Sequence, residues 1–296
     1  MEGQGLGAPA TPVTGLPRAL TIAGSDSGGG AGIQADLKVF FALGCHGMSA
    51  VTALTAQNTI GVTGISEVDP EFVIAQVDAV AADIGVDAAK TGMLATAAIV
   101  EAAAKALQAN NIAKVVVDPV SVSKHRDRLL SDDAVAALRS TLIPLATLVT
   151  PNLHEAGLLV GRDVETLADM KRAAEDLRLL GAEAILVKGG HLPGERAIDV
   201  LLTDHGISEI DGARYDTEDT HGTGCALSAA IAARLAHGDA LEEAVHFGKE
   251  FVAGAIAHGL RLGEGYGPVN PGWRLPGAAG GPSSDASGDR KPPPAH

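Results

Sequence analysis

The chain has 296 residues, of which 46% are hydrophobic and 3% aromatic, and its formal net charge is −14. This length suits one large domain or two small ones, and the negative charge argues against a nucleic-acid-binding surface. The two cysteines lie far apart in sequence, which excludes a disulfide framework or a zinc ribbon and fits a reducing cytoplasm.

Both ends of the chain differ in composition from the middle. Residues 1–17 and 274–296 are rich in proline, glycine and alanine and show no apolar periodicity. Such segments bury too little apolar surface to offset the entropy of ordering, so we expect both to be disordered. The folded domain is therefore predicted to span residues 18–273. We find no signal-peptide pattern at the N-terminus and no apolar run long enough to span a membrane.

Short apolar runs alternate with helical patterns between the two ends. The predicted strands cover residues 18–24, 46–55, 65–68, 88–91, 114–118, 148–150 and 184–188, with a hairpin-type pair at 197–203 and 207–215. The predicted helices cover residues 33–43, 70–84, 96–109, 131–142, 152–160, 166–179, 224–237 and 240–258. Several strands are apolar throughout, which is typical of a parallel sheet covered on both faces. The pattern predicts a three-layer α/β/α sandwich with a central, mostly parallel sheet and ligands beyond the carboxyl ends of its strands.

A glycine-rich loop, Gly28–Gly32, follows the first strand and opens a helix. Residues 30–35 fit the dinucleotide-binding pattern Gly-x-Gly-x-x-Gly/Ala, which also needs an acidic residue at the end of the next strand. That strand ends at Thr55 without an acid, and no Gly-Lys-Ser/Thr of a P-loop is present. The loop is predicted to be either a wall over a small ligand or a purely structural turn.

Polar residues follow the carboxyl ends of three other predicted strands. The amide of Gln57 offers a donor beside an acceptor, which matches the edge of an aminopyrimidine. Asp118 follows an all-apolar strand, where a buried carboxylate needs a cation, a donor or a functional role. Lys188 is followed by two glycines and could reach a transferred phosphate, although a solvated lysine is the alternative.

Oxygen donors at the start of the helix at 152–160 could hold a metal ion. The carboxylate of Glu155 lies one helical turn from the amide of Asn152, a pair that can hold Mg²⁺ through water. The alternative is that both residues only cap the helix. The histidines have no zinc-ligand spacing and are predicted to be loop or surface residues: His125, His154, His191 and His221.

A second glycine motif opens the helix at 224–237. Gly222, Thr223 and Gly224 leave the first backbone N–H groups of the helix free, and these groups with the helix dipole predict an anion site. The same dipole would lower the pKa of the Cys225 thiol and make it a base or a nucleophile. The alternative is a small buried cysteine beside a glycine turn.

The order of these motifs resembles that of the ribokinase-like superfamily, and within it the hydroxymethylpyrimidine/phosphomethylpyrimidine kinases of thiamine biosynthesis. The segments that carry the resemblance are 20–28, 29–36, 52–58, 90–94, 117–120, 150–155, 187–191 and 220–225. They cover nearly all of 18–270. Cys225 replaces the Asp of most ribokinase-like enzymes, as it does in these pyrimidine kinases and in a subset of pyridoxal kinases.

The resemblance implies a role for each matching residue. Gln57 would bind the aminopyrimidine, and the rest of the substrate pocket would comprise Ala31, Asp36, Met93 and Val120. Magnesium and the ATP phosphates would be organised by Asp118, Asn152 and Glu155, with Lys188 on the phosphates. The anion hole and the catalytic group would be Gly222, Thr223, Gly224 and Cys225.

The resemblance also implies an activity. The protein would phosphorylate 4-amino-5-hydroxymethyl-2-methylpyrimidine first to its monophosphate and then to its diphosphate. It would use ATP and Mg²⁺ for this reaction, with a monovalent cation in addition. We expect a cytoplasmic homodimer whose partners are small molecules. Pyridoxal kinase is the alternative within the fold. A dehydrogenase, which the missing ribose acid disfavours, and a non-catalytic sensor are the alternatives from other classes.

Four positions depart from the family pattern. Arg126 stands where the family commonly has glycine, and Ser121 where it often has methionine. Tyr266 and Pro271 stand where relatives often carry histidine. These differences concern loop closure and the shape of the substrate pocket, and leave the predicted phosphate site unchanged.

Overall fold

The computed structural model describes residues 15–121, 130–190, 192, 194 and 196–277. Within these residues, nine strands form one sheet in the order β3-β2-β1-β4-β5-β6-β7-β8-β9. The strands are β1 (Arg18–Asp26), β2 (His46–Gln57), β3 (Val62–Glu67), β4 (Ala88–Thr91), β5 (Val115–Val117), β6 (Leu148–Val149), β7 (Ile185–Val187), β8 (Asp199–Thr203) and β9 (Gly206–Ile210). Arg126, His125 and His191 lie outside the described residues, as do most residues of the two ends.

The α-helices are α1 (Gly32–Ala42), α2 (Pro70–Asp83), α3 (Ala97–Ala109), α4 (Asp132–Ala137), α5 (Leu153–Val160), α6 (Leu167–Arg178), α7 (Thr223–His237) and α8 (Leu241–Ala257). The helix predicted at 131–142 is α4 followed by a π-helical turn, Leu138–Leu142, and then by a short 3₁₀ turn. No helix in the described part of the chain is long and apolar enough to cross a membrane.

The six strands in the middle of the sheet, β2-β1-β4-β5-β6-β7, pair in parallel. β3, β8 and β9 add antiparallel pairs at the two edges, and β8 with β9 forms the predicted hairpin. The prediction of a mostly parallel central sheet is therefore confirmed. Because parallel strands share one direction, the carboxyl ends of six strands meet along a single edge of the sheet.

Two hydrophobic clusters cover the two faces of the sheet. Val115 and Val117 of β5 point into the cluster formed with α2 to α6, whereas Val116 points into the cluster formed with α1, α7 and α8. All three valines are fully buried. This alternation explains the continuous apolar run of β5, since a strand with helices on both faces has no polar side.

Side chains before several helices satisfy their first N–H groups. Asp69 accepts from the backbone N–H of Glu71 at the start of α2, where Pro70 takes the first position. Thr166 and Asp169 form a reciprocal capping box on α6. These caps occur where the sequence predicts helix starts, and they fix the helices that follow each strand.

The C-terminal segment packs along α8. The indole of Trp273 stacks on His258 with ring centroids 5.4 Å apart and donates to the carbonyl of Phe251 at 3.1 Å. A Cβ atom on Gly254 would lie 2.1 Å from the indole, so the helix surface must be bare at this point. Before it, the backbone N–H of Tyr266 donates to the carbonyl of Thr59 at 3.0 Å.

Candidate active site

A cavity of about 1360 Å³ lies at the carboxyl ends of the parallel strands. This is the place that the predicted topology assigned to ligands. The predicted site residues that line this cavity are Ala31, Gln57, Met93, Asp118, Val120, Asn152, Glu155, Lys188, Gly222, Thr223, Gly224 and Cys225. Residues from both glycine motifs and from five strand ends are thus brought into one space.

Asp36 is the predicted site residue that does not line the cavity. Its carboxylate is fully buried, with Oδ2 2.9 Å from Nζ of Lys90 and 2.6 Å from the hydroxyl oxygen of Thr21. Burial raises the pKa of Asp36, although Lys90 and Thr21 act in the opposite direction. Asp36 therefore supports Lys90, which does line the cavity.

Lys90 is a buried cation that the sequence analysis did not single out. Burial lowers its pKa, but the carboxylate of Asp36 and the neighbouring Cys225 and Asp118 outweigh this effect and raise it. Its ammonium is therefore charged at neutral pH. The one available signal was a lysine at the carboxyl end of an otherwise uncharged buried strand, Ala88–Thr91.

The glycine loop is held by one carboxylate. Oδ1 of Asp26 accepts from the N–H of Gly28 at 2.8 Å, and Oδ2 accepts from the N–H groups of Gly30 at 3.1 Å and Ala31 at 2.8 Å. Oδ2 also lies 2.9 Å from Nε2 of His221. Burial would raise the pKa of Asp26, but these donors outweigh it and hold the pKa below its usual value.

His221 lies in a loop, as predicted, and is buried there. The residue is 9% exposed, and its ring joins the loop before α7 to Asp26 of β1. A carboxylate can only accept, so Nε2 carries the proton of this bond. His221 belongs to the glycine motif at 220–225, and its place in that motif was the sequence signal that it lies at the site. His154 is exposed, in line with its prediction.

The two glycine motifs touch through their backbones. Gly222 adopts a left-handed φ of 80°, and a Cβ atom there would lie 1.9 Å from the carbonyl oxygen of Gly30. A Cβ atom on Gly224 would lie 3.2 Å from Nζ of Lys188. Glycine is thus required at 222 by conformation and contact, and at 224 it leaves the helix start open toward the lysine.

Lys188 lies between two carboxylates at the ends of β5 and β6. Its Nζ is 3.0 Å from Oδ1 of Asp118 and 3.8 Å from Oε2 of Glu155. Burial lowers the pKa of Lys188, but both carboxylates outweigh it and raise the pKa. Burial also raises the pKa of Glu155 to about 7, against the effect of Lys188. An ammonium held beside the open helix start can bind the phosphate groups of a ligand.

Asn152 and Glu155 form a reciprocal capping box on α5. The side chain of Asn152 accepts from the N–H of Glu155 at 2.9 Å, and Oε2 of Glu155 accepts from the N–H of Asn152 at 2.8 Å. The capping contacts expected of these two residues are therefore present. A metal role would be additional to the cap, since both residues also line the cavity.

The site offers oxygen atoms to a hard cation. Within the described residues, Oδ2 of Asp118 is buried without a hydrogen-bond partner. No group of three His, Cys, Asp or Glu side chains in that part of the chain could hold a metal by itself. One or two carboxylates with water and phosphate oxygens are the usual ligands of Mg²⁺, so Asp118 and Glu155 fit this ion.

The thiol of Cys225 has a higher pKa than the sequence predicts. The thiol is half-buried at the start of α7 and lines the cavity. Burial raises its pKa to about 11, although the ammonium of Lys90 acts in the opposite direction. The expectation of a lowered pKa was wrong, because the desolvation of a thiolate outweighs the groups that favour it.

On the other side of Lys188, the cavity continues along α8. Asp199 accepts from the N–H of Gly189 at 2.8 Å with Oδ1 and binds Nζ of Lys249 with Oδ2 at 2.5 Å. Lys249 also donates to the carbonyl of Ala197 at 2.9 Å. The pair fixes α8 against the sheet and forms a wall of the cavity.

Residues 26–270 match the family model described as phosphomethylpyrimidine kinase. The chain belongs to the phosphomethylpyrimidine kinase family. The hydroxymethylpyrimidine/phosphomethylpyrimidine kinase of Streptomyces coelicolor is 51% identical over 268 residues, which cover 90% of this chain and 98% of that protein. The family resemblance of the motifs is thereby confirmed.

Two solved structures place the fold among the ribokinase-like kinases. A Bacillus subtilis pyridoxal kinase in complex with ADP has a TM-score of 0.82 and 41% identity, covering 88% of this chain and 100% of that one. A phosphomethylpyrimidine kinase from Clostridium difficile has a TM-score of 0.72 and 42% identity, covering 81% and 99%. The two specificities therefore occur on one backbone plan.

Three of the four positions that depart from the phosphomethylpyrimidine kinase pattern lie within the described residues. Tyr266 lines the cavity, whereas Pro271 and Ser121 are buried. Gln57 also lines the cavity, and its main chain is bonded to the hydroxyl of Ser27, just before the glycine loop.

Proposed function

We propose that this protein is an ATP-dependent kinase of thiamine biosynthesis. It phosphorylates 4-amino-5-hydroxymethyl-2-methylpyrimidine to the monophosphate and then to the diphosphate. The observation that carries this proposal is one cavity lined by the carboxamide of Gln57, the thiol of Cys225 and the ammonium of Lys188. An amide edge for the aminopyrimidine and a cationic helix start for phosphate are thus held within reach of one small ligand.

The first step is a phosphoryl transfer to an alcohol. The hydroxymethyl oxygen forms a bond to the γ-phosphorus of ATP, the bond from that phosphorus to the β–γ bridging oxygen breaks, and ADP leaves. The charge that develops on the transferred group meets the N–H groups of Gly222–Gly224 and the ammonium of Lys188. Lys188 stays protonated throughout, since its pKa is raised by Asp118 and Glu155 even though burial alone would lower it.

Cys225 is proposed to take the proton of the alcohol. It can accept that proton only as a thiolate, which is the minor form at neutral pH when the pKa is about 11. The positively charged ammonium of Lys90 favours the thiolate. In the second step the acceptor is a phosphate monoester, which already presents an ionised oxygen and needs no base.

Asp118 and Glu155 are proposed to hold Mg²⁺, with Asn152 orienting Glu155 through the capping box. When bound, the ion neutralises phosphate charge and fixes the geometry of transfer. A monovalent cation and a homodimer are further expectations of the family resemblance. A folded domain at 18–273 and a location in the cytoplasm, where the two thiols stay free, complete the proposal.

Complementation of a thiamine-requiring strain is the decisive experiment. We expect the wild-type gene to restore growth and a Lys188→Met variant to fail. A purified enzyme given the pyrimidine alcohol, ATP and Mg²⁺ should release ADP and form both phosphates. Absence of ATP turnover with any heteroaromatic alcohol would favour a sensor, and hydride transfer with NAD would favour a dehydrogenase.

Pyridoxal kinase is the second candidate because solved pyridoxal kinases share this fold at 41% identity. Pyridoxal also carries a hydroxymethyl group on a heteroaromatic ring of similar size. The ratio of kcat/KM for the two alcohols decides between them. We expect the aminopyrimidine to have the larger value, and a larger value for pyridoxal would reverse the assignment.

A further inference from the structure

Gln57 stands where the end of β2 is irregular. The pairing of β2 with β3 shifts register between Ala56 and Gln57, and the pairing of β1 with β2 shifts between Ala23 and Ser25. Such irregularities turn a side chain away from the direction that regular alternation would give it. The carboxamide therefore needs other contacts to define its position.

One hydroxyl binds both main-chain polar groups of Gln57, which also pairs with Val62 of β3. Oγ of Ser27 donates to the carbonyl oxygen of Gln57 at 2.7 Å and accepts from its N–H at 2.8 Å. This reciprocal pair attaches the end of β2 to the glycine loop. It leaves the side chain free to rotate about its own bonds.

The side chain has its own partner, which is Thr55. Oγ1 of Thr55 lies 3.1 Å from Oε1 of Gln57 and 2.9 Å from the carbonyl oxygen of Ser25. All three residues line the cavity. A threonine hydroxyl has one proton and can also accept, whereas the Ser25 carbonyl can only accept.

We propose that Thr55 is the positioning residue that sets the Gln57 carboxamide for the amino group and ring nitrogen of the substrate. The inference rests on the proposed pyrimidine kinase function. With its proton on Oε1, the hydroxyl holds the amide as the structure shows it. With its proton on the Ser25 carbonyl, it accepts from Nε2 of an amide turned by 180°.

Thr55 is therefore a partner for either orientation of the amide. Valine has the same shape but no hydroxyl and leaves the carboxamide without a fixed partner. The Gln57 carboxamide is then ordered only when the ligand binds. Because this ordering costs conformational entropy, the ligand binds more weakly. Serine keeps the hydroxyl and should keep the affinity.

Calorimetry in the absence of ATP tests this role with two ligands. One is 4-amino-5-hydroxymethyl-2-methylpyrimidine, and the other is the same compound without its amino group. Thr55→Val should raise the Kd of the first by about 3- to 10-fold, the value of one hydrogen bond. The loss for the second should be smaller, and Thr55→Ser should bind the first ligand within about twofold of wild type.

Thr63→Val is the matched control. Its hydroxyl bonds the carbonyl of Ala56 on the same strand pair, at 3.1 Å, and is exposed. This variant should leave both Kd values unchanged. In turnover, Thr55→Val should raise KM for the alcohol and keep kcat within about twofold, because Thr55 does not contact the reacting atoms.

The outcomes separate this inference from the proposed function. If wild type binds neither alcohol, the pyrimidine kinase assignment fails and Thr55 has no role in it. If wild type binds and Thr55→Val weakens both ligands equally, or Thr55→Ser binds as weakly as the valine variant, the positioning role is overturned. Equal affinity of wild type and Thr55→Val for the first ligand overturns it as well.

Discussion

The carboxylate of Asp26 lies 2.9 Å from Nε2 of His221, although 195 positions separate the two residues in the chain. The same carboxylate accepts the N–H groups of Gly28, Gly30 and Ala31. These hydrogen bonds thus tie the glycine loop to the start of α7. The relative position of Ala31 and Cys225 depends on these contacts.

Removal of the His221 ring should loosen both glycine motifs. We expect His221→Ala to lower the free energy of unfolding by about 1–3 kcal/mol, because a buried carboxylate loses a donor. It should also lower kcat/KM by about 10- to 100-fold, since small displacements at a reacting centre are costly. Urea denaturation and initial rates measure the two effects. His46→Ala, at an exposed position, is the control, and equal behaviour of the two variants would contradict this role.

The acidity of Asp26 gives a pH dependence of the stability. Its pKa is lowered in the folded state because His221 and the N–H groups of Ala31 and Gly28 outweigh the effect of burial. A lowered pKa stabilises the fold above the unfolded-state value, about 3.9, and this stabilisation is lost as the pH falls through the folded-state pKa. Denaturation at a series of pH values should therefore show a steeper acid loss for wild type than for Asp26→Asn. Parallel curves would exclude this linkage.

The two glycines of the second motif should respond differently to alanine. Gly222→Ala puts a Cβ atom 1.9 Å from the Gly30 carbonyl at a φ of 80°, so we expect a large loss of thermal stability. Gly224→Ala keeps its N–H group but puts a Cβ atom 3.2 Å from Nζ of Lys188, so the fold should persist while displacement of this ammonium lowers kcat by about 100-fold. Thermal unfolding and kcat measured for both variants check this contrast. A stable, active Gly222→Ala enzyme would refute the requirement.

Cys225→Ala should slow the first phosphorylation much more than the second, because only the alcohol must lose a proton. Rates with the alcohol and with its monophosphate, measured separately, test this difference. Equal losses in the two steps would rule out Cys225 as a base specific to the first step.

Alkylation of the ligand-free enzyme tests the acidity of the same thiol. With a pKa raised by burial to about 11, the rate for Cys225 should still be rising with pH where a free thiol, pKa about 8.5, has levelled off. The Cys225→Ala variant identifies the signal, since Cys45 is the other thiol. An alkylation rate that levels off at a pH below the pKa of a free thiol would show an activated cysteine instead.

The buried pair of Lys90 and Asp36 should be costly to break from one side. Lys90→Met leaves the carboxylate with Thr21 alone and should reduce the free energy of unfolding by about 3–5 kcal/mol. Adding Asp36→Asn removes the uncompensated charge, so the double variant should be more stable than Lys90→Met. Urea denaturation of wild type, both single variants and the double variant measures this, and additive losses would show that the two groups do not interact.

Local patterns in the sequence account for most of the fold. Strands such as β5 and helix starts with Asp69 or Thr166 depend on neighbouring residues, so their positions could be predicted within a few residues. The hairpin strand predicted at 207–215 ends at Ile210 and continues only as an isolated bridge between Arg196 and Ala213. The end of that pairing depends on the partner strand, which local propensity does not describe.

The polar pairs of the site could not be predicted in the same way. Lys90 and Asp36 are 54 positions apart, and both have their partners on other elements of the sandwich. Cys225 was expected to be acidic because its helix position is visible in the sequence. The burial that reverses this effect depends on the packing of the whole site.

Trp273 is the only tryptophan of the chain, and its indole packs against Gly254 on α8. The same helix contributes Lys249 and Ala253 to the wall of the cavity. The tryptophan fluorescence of this protein therefore comes from a single indole that packs on a helix of the cavity wall. A titration with nucleotide would have an optical signal of known origin without any added label.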